Sequence, residues 1–178
     1  MLKALPKPDP MSAEESGAET TICAGCGLCC DGSLFSHVIV VEEDRGTVAR
    51  AQLPVTELEG TPIFRLPCAM LVNGLCSVYD GRPTTCQRYR CKLRKGVDKG
   101  ELGEAEAYEK IASAKGMAKR LREMSDGAKT PGERKALTAK LKDGFANCDE
   151  EERLERARLL LELGSFEFYV DRWFREER

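Results

Sequence analysis

The chain has 178 residues, enough for one domain with a core of its own, or for one domain and a small appendage. Its net charge of −2 excludes a molecule-wide attraction to nucleic acid or anionic membranes. Charged residues make up 33% against 42% apolar, which predicts a soluble protein with much exposed helix, and no apolar run approaches the roughly 20 residues that span a bilayer.

Residues 1–20, MLKALPKPDPMSAEESGAET, lack the continuous apolar stretch of a signal peptide and read as a disordered tail. Met11 is a second candidate start within it. With no export signal in view, the expected compartment is the cytoplasm, where thiols stay reduced. The nine cysteines are then expected as metal ligands or redox thiols rather than as disulfides, and their odd number agrees.

His37-Val-Ile-Val-Val41 is β-branched and predicts a short strand. The turn-rich Glu-Glu-Asp-Arg-Gly follows, and Thr47 to Leu53 is expected to return as the partner strand of a hairpin. Pro54, Pro62 and Pro67 are expected to interrupt any longer element. Asn73-Gly74 is a tight-turn signal between Cys68 and Cys76.

The second half is rich in Ala, Glu, Lys, Arg and Leu, the helix formers. From Leu102 to Met124, Tyr108, Ile111, Ala114, Ala118 and Leu121 recur at helical spacing. Thr130-Pro131-Gly132-Glu133 is a capping box with proline at the first helical position. It opens a helix to about Leu141, with Gly144 as C-cap. Asn147-Cys148-Asp149-Glu150 opens another, expected to stop near Gly164 with Leu154, Ala157 and Leu160 or Leu161 as its apolar face. Phe166 to Phe174 fits either period, with the helix placing more of its apolar residues.

Eight cysteines fall between Cys23 and Cys91. The first group is Cys23-Ala-Gly-Cys26-Gly-Leu-Cys29-Cys30. Two-residue spacers let successive thiolates turn back on one centre, and the small spacers let backbone amides point at sulfur. Zinc knuckles use the same C-x2-C step, and bacterial iron–sulfur loops extend it to C-x2-C-x2-C. The second group is Cys68, Cys76, Cys86 and Cys91, with Arg82-Pro83 setting a bend before Cys86. Neither group has ideal spacing for a complete site, so the two are expected to close on each other. They could form two four-cysteine sites, or one larger centre with spare thiols. Adjacent residues rarely ligate one ion comfortably, so Cys29 and Cys30 are where two centres, or a ligand and a spare thiol, part ways. Sulfur sites of this kind suit zinc and iron–sulfur alike.

Arg82, Arg88, Arg90, Lys92, Arg94 and Lys95 form a basic run. It fits a solvated surface, charge compensation for metal-bound thiolates, or, least well, a nucleic-acid patch. His37, the sole histidine, is expected to be structural, with ligation the alternative. Cys148, outside the cluster, is expected as a small packing residue.

The pattern Cys23-x2-Cys26-x2-Cys29-Cys30, Pro67-Cys68, Gly74-Leu75-Cys76-Ser77-Val78-Tyr79, Arg82-Pro83-x2-Cys86 and Cys91 resembles the YkgJ-type cysteine-cluster proteins over about residues 20 to 95. These are described as carrying a zinc- or iron-chelating domain. The resemblance implies that Cys23, Cys26, Cys29, Cys30, Cys68, Cys76, Cys86 and Cys91 are metal ligands. It implies no reaction. A similar cysteine segment occurs in the much longer flagellin lysine N-methylases, whose activity does not carry over. Gln87 stands where many relatives have arginine.

The expected fold is α+β: an irregular, metal-stapled cysteine-rich half with a short β-hairpin, packed on a helical C-terminal half. The expected division is a tail over 1–20, a cysteine-cluster domain over 21–98 and a helical extension over 99–178. The leading functional expectation is chelation of zinc or iron, with an iron–sulfur cluster as one form. The alternatives are an iron–sulfur redox or protein-modification component, and a metal-stabilised interaction module whose protein partner the sequence does not name. No phosphate loop, Ser/His/Asp pattern or H-E-x-x-H is present.

Overall fold

The computed structural model describes residues 21–176, so the tail expected over 1–20 lies outside the described residues. The fold is α+β, with a small sheet region in the first half and helices in the second. Helix α1 (Thr21–Cys26) is followed by β1 (His37–Ile39), a 3-10 turn (Glu42–Asp44) and α2 (Arg45–Arg50). Strands β2 (Val55–Leu58) and β3 (Thr61–Arg65) come next, then the hairpin β4 (Leu71–Val72) and β5 (Leu75–Cys76). Two short helices, α3 (Thr84–Arg88) and α4 (Lys92–Asp98), lead into α5 (Glu104–Met124), α6 (Pro131–Asp143) and α7 (Glu150–Trp173).

The strand expected at His37 forms, but its partner is not the expected one. Thr47–Leu53 is largely the helix α2 and its exit, because Val48 and Leu53 reach the same core from a helical turn. The antiparallel sheet has the order β1-β3-β2, with Val38 opposite Phe64 and Thr56 opposite Ile63. Pro62 lies inside the central strand rather than ending it. Its missing donor faces the end of β1, where its carbonyl still accepts from the Val40 N–H at 2.9 Å. Val40, Val48, Leu53, Phe64 and Leu66 close a small core against the sheet.

The second half forms a larger core. Ala107, Ile111, Ala114, Ala118 and Leu121 line the buried face of α5, while Tyr108 turns outward. Lys110 of α5 meets Tyr169 and Trp173 of α7, and Arg120 meets Glu162, so the two helices run antiparallel. The capping box at Thr130 is formed: its hydroxyl accepts from the Glu133 N–H, and the Glu133 carboxylate accepts from the Thr130 N–H. Gly144 is the C-cap, as expected.

Helix α7 corrects the sequence expectation in two ways. It runs through Gly164 to Trp173 as one 24-residue helix, capped by Asp149. One glycine costs a helix only about 1 kcal/mol relative to alanine. Burial of Leu163, Phe166 and Val170 against α5 outweighs that, at about 1.5–3 kcal/mol per large side chain. The buried face is therefore Leu163, Phe166, Val170 and Phe174, whereas Leu154 and Leu161 are exposed. Cys148 is buried beside the start of α7, as a packing residue would be.

Ile22, Leu28, Leu34 and Leu93 from the cysteine-rich half are buried in the same core as α5 and α7. Polar clamps reinforce this seam. The buried Arg134 guanidinium donates to the Ser33 carbonyl at 2.8 Å and pairs with Glu167. Arg175 bonds Glu167 at 2.6 Å and reaches the Leu34 carbonyl at 3.3 Å. Arg122 contacts Asp31, and Lys115 donates to the Gly25 carbonyl at 2.8 Å. The helices thus grip the backbone on both sides of Cys26, Cys29 and Cys30. Among the described residues no helix is long and apolar enough to cross a membrane.

Candidate metal centre

All nine cysteines are free thiols. The eight from Cys23 to Cys91 line one cavity of about 1040 Å³, and Cys148 does not. His37 also lines the cavity, from β1.

Local geometry explains how each thiol arrives. Cys23 and Cys26 lie on α1. Gly27 then takes φ +71°, a left-handed turn that glycine adopts without penalty. Its carbonyl accepts from the N–H groups of Cys30 and Asp31, both at 2.9 Å. Leu28 is fully buried in the helical core and anchors this knuckle. The Cys68 N–H donates to the Cys30 carbonyl at 2.8 Å, which pins the second segment onto the first. Asn73 and Gly74, at φ +52° and +80°, make the expected tight turn and set Cys76 opposite Leu71. A Cβ on Gly27 would stand 3.0 Å from the Gly74 carbonyl oxygen, so the two turns meet through bare backbone.

Cys86 sits on α3, whose N-terminus is held from a distance. The buried Asp44 carboxylate accepts from the Thr84 N–H at 2.5 Å and the Thr85 N–H at 3.1 Å. The Thr85 hydroxyl lies 3.2 Å from both Asp44 Oδ2 and the Ile39 carbonyl, and donates to one of them. Burial pushes the Asp44 acid up, yet these donors prevail and hold it below the ordinary 3.8. Asp44 was read in the sequence only as part of a turn. Its partners lie 40 and 41 residues away, and no local pattern marks it. Cys91 caps α4, its sulfur accepting from the Arg94 N–H at 3.4 Å.

By their nearest charged neighbours and packing, the thiols fall into two groups that meet at Cys29 and Cys30. Cys23, Cys26, Cys29 and Cys91 feel one another's charge, and Cys26, Cys29 and Cys91 pack against the helical core. Cys30, Cys68, Cys76 and Cys86 form the other set, and Cys68 and Cys86 pack against the sheet core. Relative to the grouping along the chain, Cys30 and Cys91 have changed places. The peptide bond between Cys29 and Cys30 is the boundary, and Cys29 senses Cys30 across it.

Burial is the main force on these thiols. It pushes Cys26 and Cys30 up to about 12 and Cys86 up to about 11, and neighbouring sulfurs add to the rise. Cys29, Cys68 and Cys91 are also raised, again mainly by burial. The thiols share the cavity without converging. Among the described residues, no three His, Cys, Asp or Glu side chains are gathered tightly enough to hold an ion as they stand.

Two guanidinium groups line the same cavity. Arg82 lies 3.6 Å above the Tyr79 ring, and its buried Nε has no hydrogen-bond partner among the described residues. Arg94 is 5% exposed. Its Nε stands 2.7 Å from Asp98 Oδ1, an ion pair out of line for a hydrogen bond, and its buried Nη1 meets no acceptor. Arg88 pairs with Glu43 and Lys95 with Glu176, so the basic run of the sequence is not one open cationic strip. A buried donor nitrogen left without an acceptor costs about 1–3 kcal/mol. Thiolates holding a divalent ion carry net negative charge and would answer it. The donor set and the orphaned guanidinium atoms therefore fit a thiolate metal centre.

A cavity lined by eight thiols has the donor chemistry of a metal-chelating domain. Residues 22–116, a little over half of the chain, match the family CxxCxxCC, a "putative zinc- or iron-chelating domain", and the chain belongs to that family. No curated protein and no solved structure matches the chain.

Proposed function

We propose that this protein binds zinc or iron through two four-cysteine centres. Cys23, Cys26, Cys29 and Cys91 make one, and Cys30, Cys68, Cys76 and Cys86 make the other. The observation that carries this reading is that all eight thiols of the cluster line one cavity, which also takes in Arg82 and Arg94, each with a buried guanidinium nitrogen that meets no acceptor among the described residues. Four-thiolate sets suit a structural zinc ion, a single iron or an iron–sulfur cluster. Once bound, the metal would supply folding free energy to a cysteine-rich half whose own apolar core is small.

The test is elemental and sulfide analysis of protein purified without oxygen from its own host. The expected result is zinc or iron at about one ion or cluster per four cysteines. Acid-labile sulfide in amounts near those of iron assigns clusters, and colourless protein with zinc alone assigns structural ions. A folded, metal-free protein with eight freely titrating cluster thiols overturns the reading.

A further inference from the structure

The outer face of α7 is apolar and has no partner within the chain's described residues. Leu154, Leu161 and Phe168 are 67%, 72% and 75% exposed. They are spaced by seven, so they form one stripe about 21 Å long on the side opposite Leu163, Phe166 and Val170. Three large apolar side chains aligned on one helix are unlike the scattered exposed residues of an ordinary surface.

The pattern along the stripe is self-complementary. Leu161 lies midway between Leu154 and Phe168. An antiparallel copy crossing at Leu161 would set Leu161 on its own equivalent and Leu154 on Phe168. It would also set Glu150 opposite Arg172 at both ends, and the small Ala157 opposite Ser165. A parallel copy would instead oppose Glu150 to Glu150 and Arg172 to Arg172. Both charged residues are exposed, and Arg172 is already held nearby, over the Trp173 ring at 5.6 Å. Closed two-fold symmetry requires this kind of reciprocal match. A seven-residue apolar repeat stays on one seam when two helices wrap left-handedly.

We infer that the occupant of this face is a second copy of the chain, docked antiparallel through α7 about Leu161. The interface is one helix stripe, so association falls in the weak class and depends on concentration.

The test is sedimentation equilibrium of the full metal-loaded chain over a wide concentration range, with Leu161→Glu and charge-exchange variants. Wild type is expected to approach the mass of two chains at high concentration. Leu161→Glu, which opposes two carboxylates on the two-fold axis, is expected to weaken association by more than about a hundredfold. Because Leu161 is exposed, the variant should keep its metal content and thermal midpoint. Glu150→Arg alone is expected to weaken association roughly two- to tenfold, and Arg172→Glu added to it to restore it. A single-chain mass at every concentration overturns the proposal and leaves the face to a partner of other sequence. So does a dimer that survives Leu161→Glu. Failure of the double exchange to restore association overturns the antiparallel arrangement. Metal content is measured on the same samples, so loss of the metal reading and loss of the dimer are told apart.

Discussion

Asp44 caps the helix that carries Cys86, and it does so across 40 residues of chain. Its two carboxylate oxygens take the N–H groups of Thr84 and Thr85. Asp44→Ala is expected to destabilise the protein by about 1–3 kcal/mol, since it removes a cap and leaves buried donors unmet. Because the folded-state acid is held below 3.8, its contribution is present above that pH and lost as pH falls through the lower folded value. Urea unfolding of wild type and variant should show a gap at about pH 7 that narrows in acid. Equal stability at neutral pH would contradict the cap's role.

The raised thiols act in the opposite direction. Burial favours their protonated form, so the metal-free fold keeps their contribution below the ordinary 9.0 and loses it as pH rises through about 11 to 12. In chelator and reductant, the unfolding midpoint should fall between about pH 9 and pH 11. Metal uptake has the reverse dependence, because it displaces protons, so affinity should rise with pH. Proton release on titration with zinc, followed in weak buffer, checks the second half.

Arg94 is expected to change sign with metal. Without metal, Arg94→Met removes a buried charge whose Nη1 has no acceptor, and should be neutral or stabilising. With metal it removes a compensating cation and should destabilise by about 1–3 kcal/mol. Thermal unfolding with and without chelator reads both. The same sign in both conditions would separate Arg94 from the centre.

Gly27→Ala is expected to lower stability by about 1–2 kcal/mol, from the left-handed turn and the close approach to the Gly74 carbonyl. That corresponds to a fall of roughly 2–8 °C in thermal midpoint. Gly25, two residues earlier, has open space around its Cα and lies within α1, so Gly25→Ala should be neutral or slightly stabilising.

Cys29→Ser and Cys30→Ser should each remove about half of the bound metal. Paired variants then map the sets. Cys29→Ser with Cys91→Ser should lose no more than Cys29→Ser alone, while Cys29→Ser with Cys30→Ser should lose nearly all. If Cys30→Ser with Cys91→Ser behaves as one set instead, the division described above is wrong.

What was legible in the sequence was local. The Thr130 capping box and the Asn73-Gly74 turn each lie within four residues, and both form where their chemistry places them. The cysteines were legible as a cluster because thiols are rare and these were dense. The parting at Cys29 and Cys30 was legible from their adjacency, but the grouping of Cys91 with Cys23 was not, because Cys91 nears Cys23 only through the packing of α4 onto the helical core. Thr47–Leu53 was misread as a strand since Val48 and Leu53 serve a core equally well from a helical turn. Gly164 was misread as a stop because a local penalty of about 1 kcal/mol is overruled by burial that only the packed fold provides. The exposed Leu154 and Leu161 had the same cause: with the helix cut short, the deeper stripe through Phe166 and Val170 was assigned elsewhere.

The single peptide bond between Cys29 and Cys30 has a consequence for how the protein would fill. Their Cα atoms are about 3.8 Å apart along a rigid planar link. Seating Cys29 in one centre fixes one end of that link, and so removes most of the conformational freedom that Cys30 would otherwise lose on entering the other. On the proposed two-centre reading, the first metal taken up would thereby lower the entropic cost of the second and favour cooperative loading.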